Sequence, residues 1–128
     1  MIPQPFEASI VFYVSDIERT ERFYRDVLGL PVERQEGAPP FWLTANITEK
    51  FQLIFFQQEG KVGSTPAVVF SIQDGGIDDI VAGLVANGVT IVTPVSEAPG
   101  GWSADFLDPD GFGLGLWQPG DKPRSKKN

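Results

Sequence analysis

The stretch that decides the fold is ASIVFYVSDIERTERFYRDVLGL, residues 8–30. Its opening, ASIVFYV, is rich in β-branched and aromatic side chains and predicts a buried strand. The remainder predicts a helix. Ser15 and Glu18 have capping-box spacing, and Asp16 is an alternative N-cap. Ile17, Tyr24, Val27 and Leu28 recur at helical spacing, with Phe23 beside them, and Gly29 ends the run. Working outward, short strands are expected near PVERQ (31–35), at FWLTANI (41–47) and at KFQLIFFQ (50–57).

After a polar linker, QEGKVGST (58–65), the order starts again. PAVVFSIQD (66–74) matches ASIVFYVSD in kind. GGIDDIVAGLVANGV (75–89) predicts a second helix, with Ile77, Ile80, Val81 and Leu84 on one face, Asp74 as its cap and Gly88 at its end. Three strands follow, TIVTPV, GWSADFL and FGLGLWQ. The chain therefore reads as two copies of strand–helix–strand–strand–strand, about residues 6–57 and 66–118, in one domain spanning 1–120.

Alternation along the first strand of each copy separates two faces. Ile10, Phe12 and Val14, and in the second copy Val68, Phe70 and Ile72, should meet the helix. Ser9, Val11 and Tyr13, with Ala67, Val69 and Ser71, should face the other way.

Composition narrows the chemistry. The 128 residues contain no Cys and no His, which excludes disulfides, thiol nucleophiles, imidazole bases and zinc-type ligand sets. A metal would need oxygen ligands alone. Residues 1–120 carry 6 basic and 16 acidic side chains, so the body repels phosphate backbones and nucleic acid is not an expected partner. The end, DKPRSKKN (121–128), has 4 basic groups and 1 acid and is expected to be a disordered tail. No apolar run reaches the ~20 residues of a membrane helix. MIPQPFEAS at the start lacks the basic and apolar regions of a secretion signal, so the cytoplasm is the expected compartment.

The last hairpin, DFLDPDGFGLGLWQPG (105–120), turns at Asp108-Pro109-Asp110-Gly111 and returns through Gly113 and Gly115. VSDIERTERFYRDVLGL (14–30) resembles the signature of the vicinal oxygen chelate superfamily, the glyoxalase, bleomycin-resistance and dioxygenase proteins. FLDPDGFGLGLWQ (106–118) resembles that superfamily's closing hairpin. The resemblance implies an α+β fold, two βαβββ repeats forming a curved mixed sheet that encloses a cavity, in a homodimer. The linker is long enough for two chains to exchange halves.

Metal-binding members of that superfamily take ligands from four inner-face positions. Their counterparts here are Ser9, Gln52, Ala67 and Gly115. None is an acid or an imidazole, so no metal, no cofactor and no catalytic residue is expected. The remaining cavity would be lined from the first strand by Ser9, Val11 and Tyr13 and from the fourth by Gln52, Ile54 and Phe56. Ala67, Val69 and Ser71 would line it from the fifth strand, and Gly115 and Trp117 from the eighth. Mostly apolar walls with a few polar points suit a small molecule. Trp42, Trp102 and Trp117 add flat rings for stacking on planar or cationic ligands. GGWSADFLDPDG (100–111) resembles the bleomycin-resistance branch, whose aromatic side chains clamp flat drug groups between two subunits.

The expected function is therefore metal-free binding of an aromatic or cationic, antibiotic-like small molecule, by a protein that is not an enzyme. One alternative is a lyase or dioxygenase-type enzyme with no metal, or with one held by unusual ligands such as Glu97 or Asp105. Another is a stress or regulatory module with a vestigial pocket.

Overall fold

The computed structural model describes residues 1–37, 39–59 and 65–127, so the middle of the expected linker, residues 60–64, lies outside the described residues. The chain divides into two compact units. One is Ser9–Ala67, the N-terminal half; the other joins Met1–Ala8 to the chain from Val68 onward, the C-terminal half. The first eight residues belong with the later unit because Ile2 packs on its core and the Phe6 amide donates to the Ser71 carbonyl at 3.2 Å.

The first repeat comprises β1 (Glu7–Val14), α1 (Ile17–Glu21), a π-helical continuation (Arg22–Val27), β2 (Val32–Gln35), β3 (Trp42–Thr48) and β4 (Phe51–Gln57). Its strands lie in the order β2-β3-β4-β1. The second comprises β5 (Ala67–Ser71), α2 (Ile77–Ala86), β6 (Ile91–Ala98), β7 (Gly101–Leu107) and β8 (Gly113–Pro119), in the order β5-β8-β7-β6. β5 and β8 run parallel while β7 pairs antiparallel with both β6 and β8, so the strand pairing is mixed. The fold is α+β, with βαβββ written twice.

Each half has its own core on the helix-bearing face. In the first, Ile17, Val32, Leu43, Ala45 and Phe55 are buried, and Phe12, Val14 and Tyr24 pack against them. The Phe12 ring stacks on Phe55 at 5.1 Å and the Tyr24 ring meets it at 4.6 Å. In the second, Ile72, Ile77, Ala104, Phe106 and Leu116 are buried, with Phe70, Ile80, Val81 and Leu84 against them. The alternation expected for Phe12, Val14, Phe70 and Ile72 is the one observed.

The first helix departs from its expected stripe. After Glu21 the chain takes a π-helical turn, with the Leu28 amide donating to the Phe23 carbonyl five residues back at 3.0 Å. A wider turn shifts the residues that follow around the axis. Tyr24 stays on the core, whereas Phe23, Val27 and Leu28 are exposed. The capping box is also absent. Asp16 is the N-cap, its carboxylate accepting from the Arg19 amide at 3.1 Å, while the Ser15 hydroxyl accepts instead from the Arg19 guanidinium at 2.9 Å.

The second helix starts differently. Its N-cap is Gly76, at φ 86° and with no capping side chain, so Asp74 is not the cap. Its exposed amides go elsewhere. Gly76 N–H donates to the Pro123 carbonyl at 2.8 Å, and Asp78 N–H to the Arg124 carbonyl at 2.9 Å. The basic end expected to be disordered is thus tied across the helix N-terminus, where free amides need acceptors. Side chains hold it as well. Arg124 pairs with Asp78 at 3.0 Å and lies 4.4 Å over the Trp102 ring, while the Ser125 hydroxyl and the Lys126 amide both donate to Asp79 at 2.8 Å. Those bonds, the Lys126 amide first, hold the Asp79 carboxyl below its ordinary range. A Cβ on Gly75 would stand 2.5 Å from the Pro123 oxygen, so only glycine lets the strap pass.

Candidate functional site

The face of the N-terminal half away from its helix is aromatic at its centre, with one acid, the exposed Glu33, opposite Thr44 toward its edge. Register pairs Thr44 with Ile54 and Asn46 with Gln52, which places Trp42, Thr44, Gln52, Ile54 and Phe56 on one side of β3 and β4. The Trp42 and Phe56 rings stack at 5.3 Å and 21°, and Tyr13 tilts against Phe56 at 6.4 Å. Ser9 joins the same face, its hydroxyl accepting from Gln52 Nε2 at 3.4 Å. Val11 has the parity of Ser9 and Tyr13 on β1. Several of the polar groups here bond one another or nearby backbone. Gln35 donates to the Thr44 hydroxyl at 3.0 Å and the Trp42 indole donates to the Glu36 carbonyl at 2.9 Å.

The corresponding face of the C-terminal half has a different character. Gly115 pairs with Val69 on one side and with Asp105 on the other, and Trp117 pairs with Ser71 and Ser103. These residues share one face. Ala67 opens β5 with the parity of Val69 and is half-buried. A Cβ on Gly115 would stand 3.1 Å from Asp105 Oδ1 and 3.1 Å from Val69 Cγ2. The carboxylate therefore lies across bare strand backbone. Trp117 is fixed by its indole N–H, which donates to the Pro99 carbonyl at 3.1 Å.

Asp105, expected from the sequence only as an unusual metal ligand in the enzyme alternative and not as part of the lining, stands on this face. Its place was countable. In the hairpin, Asp108 N–H donates to the Phe112 carbonyl at 2.9 Å, and the Asp108 carboxylate accepts from the amides of Asp110 and Phe112 at 2.9 and 2.8 Å. Counting back from the Asp108–Phe112 pair puts Asp105 opposite Gly115. The same count moves Trp102. It pairs with Gln118, on the face of Ala104 and Phe106, and packs on the core under Arg124. Trp102 therefore does not join Gly115 and Trp117, because adjacent strand residues point to opposite faces. Glu97 pairs with Trp102 and so lies away from Asp105. Among the described residues no three acidic side chains gather as a cation would need. None of the described helices is long and apolar enough to cross a membrane.

With this geometry in view, the comparisons are unambiguous about family. The model of the Glyoxalase/Bleomycin resistance protein/Dioxygenase superfamily matches residues 8–116, and the chain belongs to that superfamily. A solved structure described as an NAD-dependent benzaldehyde dehydrogenase from Legionella pneumophila superposes with a TM-score of 0.69 at 20% identity, covering 88% of this chain and 98% of its own. Methylmalonyl-CoA epimerase from Mycobacterium tuberculosis gives a TM-score of 0.63 at 15% identity, covering 93% of each chain. TnmS3, an antibiotic-binding protein from Streptomyces sp. CB03234, is 25% identical over 92% of this chain and 97% of its own, but its TM-score of 0.39 carries no structural argument. No curated protein sequence matches. Two neighbours described with unrelated activities share the fold, so function rests on the residues of this chain.

Proposed function

We propose that the protein is a non-catalytic binder of a small planar, aromatic or cationic molecule, working without a metal or cofactor. The observation that carries the reading is the face of the N-terminal half. There a stacked Trp42–Phe56 pair adjoins Tyr13, and two of the four positions where the superfamily places metal ligands are a serine and a glutamine bonded to each other. A serine hydroxyl that already accepts from the Gln52 amide nitrogen, and a neutral amide oxygen beside it, offer little to a divalent ion, which needs charge and several ligands to offset its lost hydration. Aromatic faces suit flat rings. Trp117 offers a further indole on the C-terminal half. Phe23, Val27 and Leu28, exposed on the first helix, support association into a homodimer, which sedimentation tests.

The test uses acridone, a neutral planar ring system. At about 100 times its Kd, acridone should stabilise the protein by roughly 2.7 kcal/mol in a thermal melt. Trp42→Ala should weaken binding about tenfold, in keeping with the value of a ring stack. No shift with acridone or related planar rings would overturn the reading. The alternative, a lyase or dioxygenase-type enzyme, is favoured by one observation, the Asp105 carboxylate beside Gly115. Stoichiometric divalent metal in protein purified without chelator would establish that alternative.

A further inference from the structure

We propose that the Asp105 carboxylate, lying across the bare backbone of Gly115 beside Trp117, is the anchor for the cationic group of a planar ligand. The proposal rests on the capture reading above and adds the charge of the captured molecule and the residue that reads it.

Three observations lead to it. The first is the distribution of charge within the C-terminal half. Its basic side chains are Lys122, Arg124, Lys126 and Lys127, all in the terminal strap. The strap is bound at the start of α2, where Arg124 is committed to Asp78 and to the Trp102 ring. α2 packs on the core face, and Asp105 points to the other face. The strands therefore separate the half's cations from this carboxylate. Among the described residues Asp105 makes no salt bridge. It is half-buried and available to a cation brought in by a ligand.

The second is the room made for it. With any side chain at position 115, its Cβ would press on Asp105 Oδ1 and Val69 Cγ2, both 3.1 Å away. Glycine lets the carboxylate approach the strand backbone without that clash. The third is the neighbouring indole. Trp117 is two residues from Gly115 on the same face and diagonal to Asp105, within reach of one ring-sized ligand. Its orientation is set by the bond to Pro99. An indole and a carboxylate on one face both attract positive charge on a flat ring. A neutral ring gains only the first of these.

The experiment compares proflavine, a planar cation at neutral pH, with acridone, a neutral ring system of similar outline, by calorimetric titration of the full chain. Wild type should bind proflavine about tenfold more tightly than acridone. Asp105→Asn should lower proflavine affinity about tenfold and leave acridone unchanged, and Asp105→Glu should retain part of the preference. Gly115→Ala should weaken proflavine in wild type and add nothing in the Asp105→Asn background, because both changes act through one carboxylate. Retention of the full preference in Asp105→Asn overturns the proposal. If acridone binds and proflavine binds no better, the anchor falls and the capture reading stands. If neither probe binds, both fall.

Discussion

The two halves of this protein hold their helices with the same device and finish it with different parts. In the N-terminal half, Gln57 at the end of β4 accepts from the Ile17 amide at 2.9 Å, opening α1. In the C-terminal half, Gln118 near the end of β8 accepts from the Ile77 amide at 2.9 Å, opening α2. Each half also has an arginine that bonds a helical acid and lies over an aromatic ring. Arg34 bonds Glu21 and sits 4.1 Å from Phe41; Arg124 bonds Asp78 and sits 4.4 Å from Trp102. Their surroundings differ. Gln57 is exposed and makes one such bond, whereas Gln118 is 0% exposed and also donates to the Lys122 carbonyl at 2.9 Å. Glu21 is buried between Arg34 and Arg25, whereas Asp78 and Arg124 are both open to solvent. The lesson is that a repeated fold preserves the place of a contact while its energy depends on how much water is excluded around it.

A second contrast concerns the faces turned away from the helices. In the N-terminal half Ser9 bonds Gln52 and Thr44 bonds Gln35. In the C-terminal half the carboxylate of Asp105 lies beside a glycine and, among the described residues, makes no salt bridge. On the first face these four side chains pair with one another, with Glu33 exposed at the edge. The other keeps a charge available.

The sharpest way to break the first comparison is to truncate both glutamines. Gln118→Ala should cost about 3 kcal/mol in urea unfolding, since it strands the buried Ile77 amide and frees the strap. Gln57→Ala should cost about 1 kcal/mol, because water can replace the lost oxygen. Equal losses would show that burial does not set the difference.

Glu21→Gln comes next, at about 2 kcal/mol, discounted because the two arginines left behind can rehydrate. Its carboxyl is held below the ordinary value of 4.5, chiefly by the Arg34 guanidinium and against the opposing effect of burial. A depressed folded-state value means that the stabilisation is complete above about 4.5 and is lost as pH falls through the lower value. Wild-type stability should therefore decline more steeply than that of Glu21→Gln on acidification below that point, as urea midpoints measured across the range will show. Smallest of all should be Asp78→Asn, at under about 0.5 kcal/mol, as for other exposed pairs. A cost matching that of Glu21→Gln would place the strap's side chains, not only its backbone, among the main supports of the second half.

Much of this was readable along the chain. Ile10 to Val14 and Val68 to Ile72 are mostly apolar runs that a strand's two-residue period sorts onto two faces, and Ile77, Ile80, Val81 and Leu84 repeat with the period of a helix, so the elements, the two repeats and the core sides of β1 and β5 were legible from residues a few positions apart. Such spacing is a local property, set by backbone geometry, and every copy of the chain carries it before folding. What only the tertiary structure decided lies between distant residues. The bond from Gln57 to Ile17 spans 40 positions, that from Gln118 to Ile77 spans 41, and Arg124 reaches back 46 to Asp78. No periodicity marks these partners, because a helix end accepts any well-placed oxygen. The π-helical turn that exposes Val27, the strap that occupies the place of a cap at α2, and the carboxylate laid over Gly115 belong to that second class, decided by which surfaces meet once the strands are paired.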